Sequence, residues 1–324
     1  MSTDKGHRRK FDKKPVMPNE LLKKLEERGL NIENKQEAEN YLNCVGFYRL
    51  KSYYKPYYEE NKKIFKSGIT FLHIIRLYEF DRQLRILALD AIERIEVFIR
   101  QTISEYMLLE FSDNPFWFTH EKVFTNKDKC IKFCELATKS TYGRNSKGPR
   151  LKHYYDTYET EEPNIPPSWI LFEELSLGTV LDLLFDQLND DYRRKIISNI
   201  RLPSYSPINN KEKELKSWLY CFKTLRNVVA HHNPLWNLKF HFPTGWNLIL
   251  DAFSHRQAPK EKNAQGYMIF IVLYRLLICV SNSREKRLEW VEKLYETLEK
   301  TCPSEIKREM NFPQDWKRLP FWKK

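Results

Sequence analysis

Glycine is scarce: the chain has 9 in 324 residues. A turn-rich β fold calls for many positions that only glycine adopts easily. So few glycines, beside long apolar stretches at three- and four-residue spacing, predict an all-α chain. Cysteine is also thin and scattered. Cys44, Cys130, Cys134, Cys221, Cys279 and Cys302 form no paired zinc-type spacing, so reduced thiols in a cytoplasmic protein are the expectation. The N-terminus has no apolar signal-peptide core. The most apolar run, "YMIFIVLYRLLICV" (267–280), contains Arg275 and falls short of the roughly 20 residues that cross a bilayer, which predicts a buried core helix and no membrane partner. There is no P-loop, no G-x-S-x-G, no H-E-x-x-H and no carboxylate cage of metal-binding spacing, so no cofactor and no metal are expected.

What is present is core material and positive charge. Hydrophobic residues make up 41% and aromatics 14%, and the net charge is +12. A surplus of that size favours polyanionic partners through counterion release and steering. Two segments concentrate it. Residues 1–15, "MSTDKGHRRKFDKKP", hold six Lys/Arg, including Arg8, Arg9 and Lys10, and read as a disordered basic arm. Residues 139–153, "KSTYGRNSKGPRLKH", hold five Lys/Arg and no acid, and read as a basic loop in which Lys147, Arg150 and Lys152 are phosphate-contact candidates. A third block, Phe47 to Tyr58, interleaves Tyr and Phe with Arg49 and Lys51. Such a block can stack bases and hold phosphates, or it can be an aromatic core rim with snorkelling cations; packing is the favoured alternative.

Helix signals run along most of the chain. One helix is expected from about Asn19 to Arg28. A second is expected to start at Asn34 as a cap, with Glu37 in capping-box position, and to continue through Tyr58. Phe71 to Glu110 is the longest periodic stretch, one helix or two in line, with Leu77, Leu84, Ala88, Ile92, Ile95, Ile99, Ile103 and Met107 on its apolar stripe. Glu93 and Glu96 can form helical ion pairs there with Arg94 and Arg100. Pro166-Pro167-Ser168 mark another helix start, and Gly178 allows close packing or a break. Further helices are expected over Asn189–Ile200, from Asn210 to the motif below, near 264–281 and over 285–301.

That motif is "LRNVVAHHNPLWN" (225–237), at the end of a helix that Asn233-Pro234 stops. Arg226 and His231 lie five positions apart, about 140° round an ideal helix, whereas Asn227 and His231 share a face. A second subunit could bring an identical helix against this one and converge two copies of the set. Histidine exchanges protons near neutral pH, and arginine stabilises a phosphorane-like oxyanion. RNA supplies its own nucleophile, the 2′-hydroxyl, so the pair suffices for metal-independent transesterification. Spacing alone fits a dipole-complementing structural histidine better.

In context, "LRNVVAHHNPLWN" resembles the R-N-x-x-A-H form of the R-x4-6-H motif of HEPN ribonucleases. "YLNCVGFYRLKSYYKPYY" (41–58), "YEFDRQLRILALDAIERIEVFIRQTI" (78–103) and "PSWILFEELSLGTVLDLLF" (167–185) resemble AbiD/AbiF-type abortive-infection proteins of bacteria, in matching order. The resemblance implies an all-α HEPN-type helical bundle with an N-terminal helical extension. The corresponding division is a basic arm at 1–15, the extension at 16–68, a HEPN-like domain at 69–302 and a C-terminal tail at 303–324. It implies anti-phage defence by shutting down the infected cell, with RNA cleavage as the mechanism and a homodimer through the HEPN domain completing the site. Arg226 and His231 carry over as catalytic residues, with Asn227 and His232 in support. The basic residue that relatives often carry after the second histidine is absent; the chain reads Asn233-Pro234-Leu235-Trp236. A further likeness to the HEPN parts of type VI CRISPR effectors implies RNA, and a small structured non-coding RNA in particular, as a partner.

Overall fold

The structure is a computed structural model, which describes residues 14–141, 149–158, 164–200, 211–241, 243–246, 263–264, 266–280 and 283–324. The chain divides into two compact units, Met1–Phe80 and Asp81–Lys324.

In the first unit, α1 spans Pro18–Glu26, α2 Lys35–Val45 and α3 Phe47–Tyr54. The Asn34 side chain caps α2, accepting from the Glu37 amide at 3.1 Å, as the capping signal predicts. The helix does not continue to Tyr58. Gly46 takes a φ of 84° between α2 and α3, a conformation that a side-chain-bearing residue enters only with strain, and the pattern is cut there. A short hairpin follows, β1 (Tyr58–Glu59) antiparallel to β2 (Ile64–Phe65). The aromatic block is mostly core. Tyr53, Tyr54 and Tyr57 are buried, and Tyr54 packs on Phe65 with ring centroids 5.5 Å apart. The packing alternative therefore holds for these rings, while Tyr48 stays 78% exposed.

The expected long helix is a single one: α4, Phe71–Glu110, 40 residues. The division between units falls inside it. In the second unit it buries Leu84, Ala88, Ile92, Ile95, Ile99, Ile103 and Met107 at helical spacing. Next come α5 (Lys127–Thr141), α6 (Pro149–Thr157), α7 (Ser168–Glu174) and α8 (Leu177–Asp182). The 139–153 segment is thus not simply a loop: it closes α5 and opens α6. The break at Gly178 falls just before it, where Ser176 caps α8, and Gly178 itself permits a close approach, since a Cβ there would meet Lys223 Nζ at 3.0 Å. A single π turn, Leu183–Gln187, extends α8. α9 spans Asp190–Asn199, capped by Asn189, and α10 spans Lys211–Ala230. A two-residue pairing, β3 (Phe240–His241) with β4 (Asn263–Ala264), precedes α11 (Gly266–Val280), α12 (Arg284–Lys300) and α13 (Ser304–Glu309).

α11 is the apolar run, and it is buried from Gly266 to Leu277. Arg275 is fully enclosed; it pairs with Glu214 and lies 4.1 Å above the Trp218 ring, which answers its charge inside the core. Among the described residues, no helix is long and apolar enough to cross a membrane. The segment after 302, set apart above as a tail, is folded into this unit. Met310, Trp316, Phe321 and Trp322 are buried, and the Tyr274 hydroxyl donates to the carbonyls of Trp322 and Lys324 at 3.2 and 2.9 Å. Its aromatic content supplies the apolar surface that a solvated tail would lack.

Candidate functional site

α10 forms because Leu215, Trp218, Leu219, Phe222, Leu225 and Val229 recur at three- and four-residue steps, and all six are buried. This stripe fixes the helix's rotation. Arg226 is left at the edge of the buried side. Its Nε donates to Glu96 Oε2 at 3.1 Å, and its side chain is 36% exposed, against 15% for Glu96. Glu96 Oε1 accepts from Arg100 at 2.5 Å. Arg100 also donates to the carbonyls of Phe172 and Leu175 at 2.5 and 2.7 Å, joining α4 to the end of α7. Thus Glu96 does pair with Arg100, as its spacing suggests, and it also holds the motif arginine. Arg94 pairs with Asp90 instead.

The helix end is built with equal definition. The His231 amide still donates to Asn227 O at 3.1 Å. The His232 amide then reaches Val229 O and the Asn233 amide reaches Val228 O, both at 3.0 Å, which is the paired pattern of a Schellman motif. His232 is the residue in the left-handed conformation, with φ 56°, a position that glycine usually fills. Pro234 follows and forbids continuation. The chain leaving the helix is caught at once by Asp81, which is fully buried: Oδ1 accepts from the amides of Leu235 and Trp236 at 2.9 and 2.7 Å, and Oδ2 pairs with Arg85.

Asn227, His231 and His232 are exposed. Among the described residues, no hydrogen bond joins Arg226 to His231. The arginine is tied toward α4, while Asn227 and His231 share the next face of the helix. The remaining sequence candidates are dispersed. Arg49 and Lys51 are exposed on α3 in the first unit; Arg150 and Lys152 are exposed on α6, where Arg150 lies 3.4 Å from Glu173. Arg8, Arg9, Lys10 and Lys147 lie outside the described residues. Among the described residues, no group of three or more His, Cys, Asp or Glu is arranged to hold a metal ion.

Sequence reasoning missed Glu96 as the partner of Arg226 and Asp81 as the clamp on the helix end. It also missed a cleft beside α10, lined in part by Lys213, Lys216, Tyr220, Thr224, Lys239 and His241. The helical part of that lining was readable, since Lys213, Ser217, Tyr220 and Thr224 fall at three- and four-residue steps.

The family described as Abi-like protein matches residues 40–237, more than half of the chain, and the chain belongs to that family. Family membership points to a bacterial abortive-infection protein. The matched span contains Asp81, Glu96 and the whole of the Arg226–His231 segment. No curated protein and no solved structure matches the chain.

Proposed function

We propose that this Abi-like protein is a metal-independent endoribonuclease of the HEPN type, acting in anti-phage defence through Arg226 and His231. The observation that carries the reading is the anchoring of Arg226. Glu96 takes its Nε, and among the described residues its two Nη groups have no partner, so they are available to a phosphate. One turn further on, His231 stands exposed at a helix end that Asp81 pins. In the proposed reaction a neutral imidazole takes the 2′-hydroxyl proton, the 2′-oxygen attacks the adjacent phosphorus, and the P–O5′ bond breaks. An imidazolium protonates the leaving oxygen, which gives a 2′,3′-cyclic phosphate and a 5′-hydroxyl. Arg226 stabilises the charge that builds on the non-bridging oxygens.

The two side chains point to different sides of α10, so this reading takes a homodimer in which the Arg226 of one protomer meets the His231 of its partner. The same separation favours a second reading, in which one chain holds a small structured RNA without cutting it. Labelled RNA incubated with the purified protein in chelator separates them. Cutting by wild type with cyclic-phosphate ends, lost in His231→Ala, supports the nuclease. Intact RNA that stays bound to both proteins supports the binding module.

A further inference from the structure

The second face of α10 leads into a built cleft. On an ideal helix, Lys213, Ser217, Tyr220, Thr224, Asn227 and His231 fall within a sector of about 80°. The first four line a cleft of about 650 Å³. Its other wall is the connector that carries Lys239, His241 and Thr244, and three bonds fix that wall to the helix. The Thr244 amide donates to Ser217 Oγ at 2.8 Å, Trp218 Nε1 donates to Thr244 O at 2.9 Å, and the Cys221 thiol reaches His241 O at 3.4 Å.

The chemistry of the lining is one-sided. Lys213, Lys216 and Lys239 line the cleft, and among the described residues no carboxylate is in its lining. Two acids lie behind it and order its side chains. Asp186, from the π turn after α8, holds Lys216 Nζ at 2.6 Å; the Tyr220 hydroxyl donates to Asp182 and Asp186 at 3.1 and 3.2 Å. Lys213, Lys239 and His241 are exposed at the mouth. The cleft follows the helix for about eleven residues, roughly 16 Å, and the same face continues for about another 10 Å to His231. That length exceeds a single phosphate and suits several successive ones. Lysine heads and hydroxyls spaced along a groove match the oxygens of a phosphodiester backbone without reading base edges.

We propose that this cleft is the track on which a single-stranded RNA lies before its scissile phosphate reaches His231. The inference rests on the ribonuclease reading and adds a substrate path to it. The test measures binding of a labelled uridine oligonucleotide to the full chain, as wild type and as Lys213→Glu/Lys239→Glu, across a salt series. Binding by the double variant is expected to be at least tenfold weaker, and its log-affinity slope against log salt shallower by about 1.4, the share of two single-strand phosphates. Thr224→Glu, which places a negative charge at the His231 end of the cleft without touching either lysine, is expected to weaken binding similarly and gives a second route should the double variant fail to fold.

Unchanged affinity in the folded variants overturns the proposal. So does wild type that ignores the oligonucleotide at low salt, or one that binds polyglutamate of equal charge as tightly. The two readings fail separately. Cutting that needs His231 but ignores the cleft substitutions leaves the nuclease and removes the track. Binding that needs the cleft, with cutting by no protein, does the reverse.

Discussion

Glu96 receives Arg226 at 3.1 Å across 130 positions of sequence, and the same carboxylate holds Arg100. The motif arginine is therefore supported from α4, through an acid that is itself braced. Removing the acid separates support from charge. In Glu96→Gln an amide replaces the carboxylate; Arg100 keeps the carbonyls of Phe172 and Leu175, but Arg226 loses its charge-assisted anchor. The expected stability loss is about 1–3 kcal/mol, read from urea unfolding. RNA cutting is expected to fall at least tenfold in protein that remains folded. Wild-type cutting by a folded Glu96→Gln would show that Arg226 needs no anchor.

Asp81 holds the other end of the site. It is buried, and it satisfies two backbone amides and pairs with Arg85. Asp81→Ala leaves those amides and a buried guanidinium short of their acceptor and is expected to cost about 3–5 kcal/mol. Asp81→Asn keeps an acceptor for the amides but replaces the oxygen that receives Arg85 with an NH2 donor, so about 1–3 kcal/mol is expected. Denaturant midpoints for both variants check the order; equal losses would mean that the amides contribute nothing.

The thiols give a pH prediction. Burial pushes Cys134, Cys279 and Cys302 from the ordinary 9.0 up to about 12, and Cys221 up to about 11. Burial also raises Cys130, whereas Cys44 is exposed. A thiol whose folded value is raised stabilises the fold fully below its unfolded value, and that contribution is lost as pH climbs through the folded one. Stability is therefore expected to decline as pH rises from about 9 toward 12, because the unfolded chain then ionises first. At pH 8 a thiol reagent is expected to modify Cys44 rapidly in native protein and all six cysteines in urea. Rapid modification of Cys130, the buried thiol, in folded protein would contradict its burial.

The helices were legible because apolar periodicity and caps are local. Asn34 and Asn189 act as caps where their side chains allowed it, and Phe71 to Glu110 runs as one helix along its stripe. The break at Gly46 was hidden because the apolar pattern continues across it while a single backbone angle interrupts the helix. α6 was hidden because glycine and charge in 139–153 outweighed the short pattern that begins at Pro149. In the site, the spacing of Arg226, Asn227 and His231 was readable, including the angular separation of the arginine. Its partner was not, because nothing within one sequence aligns a position on α4 with one on α10. The cleft needed a connector to fold back on α10, and the bonds from Ser217 and Trp218 to Thr244 carry no sequence pattern of their own.

The paired histidines are expected to separate by backbone conformation. His231 is exposed and has ordinary helical bonding, so His231→Ala is expected to leave the melting temperature nearly unchanged while removing RNA cutting. His232 occupies the left-handed position of the Schellman turn with φ 56°. That conformation costs a non-glycine residue about 1–2 kcal/mol, and glycine adopts it freely while losing about 0.4–1 kcal/mol through the greater freedom of its unfolded chain. His232→Gly is therefore expected to relieve about 0.5–1 kcal/mol of backbone strain, net of that entropy, and to keep cutting. A lower melting temperature in His232→Gly would assign the His232 side chain a contact worth more than its backbone strain. Loss of cutting in stable His232→Gly, with cutting retained in His231→Ala, would move the proton-transfer role from the first histidine to the second.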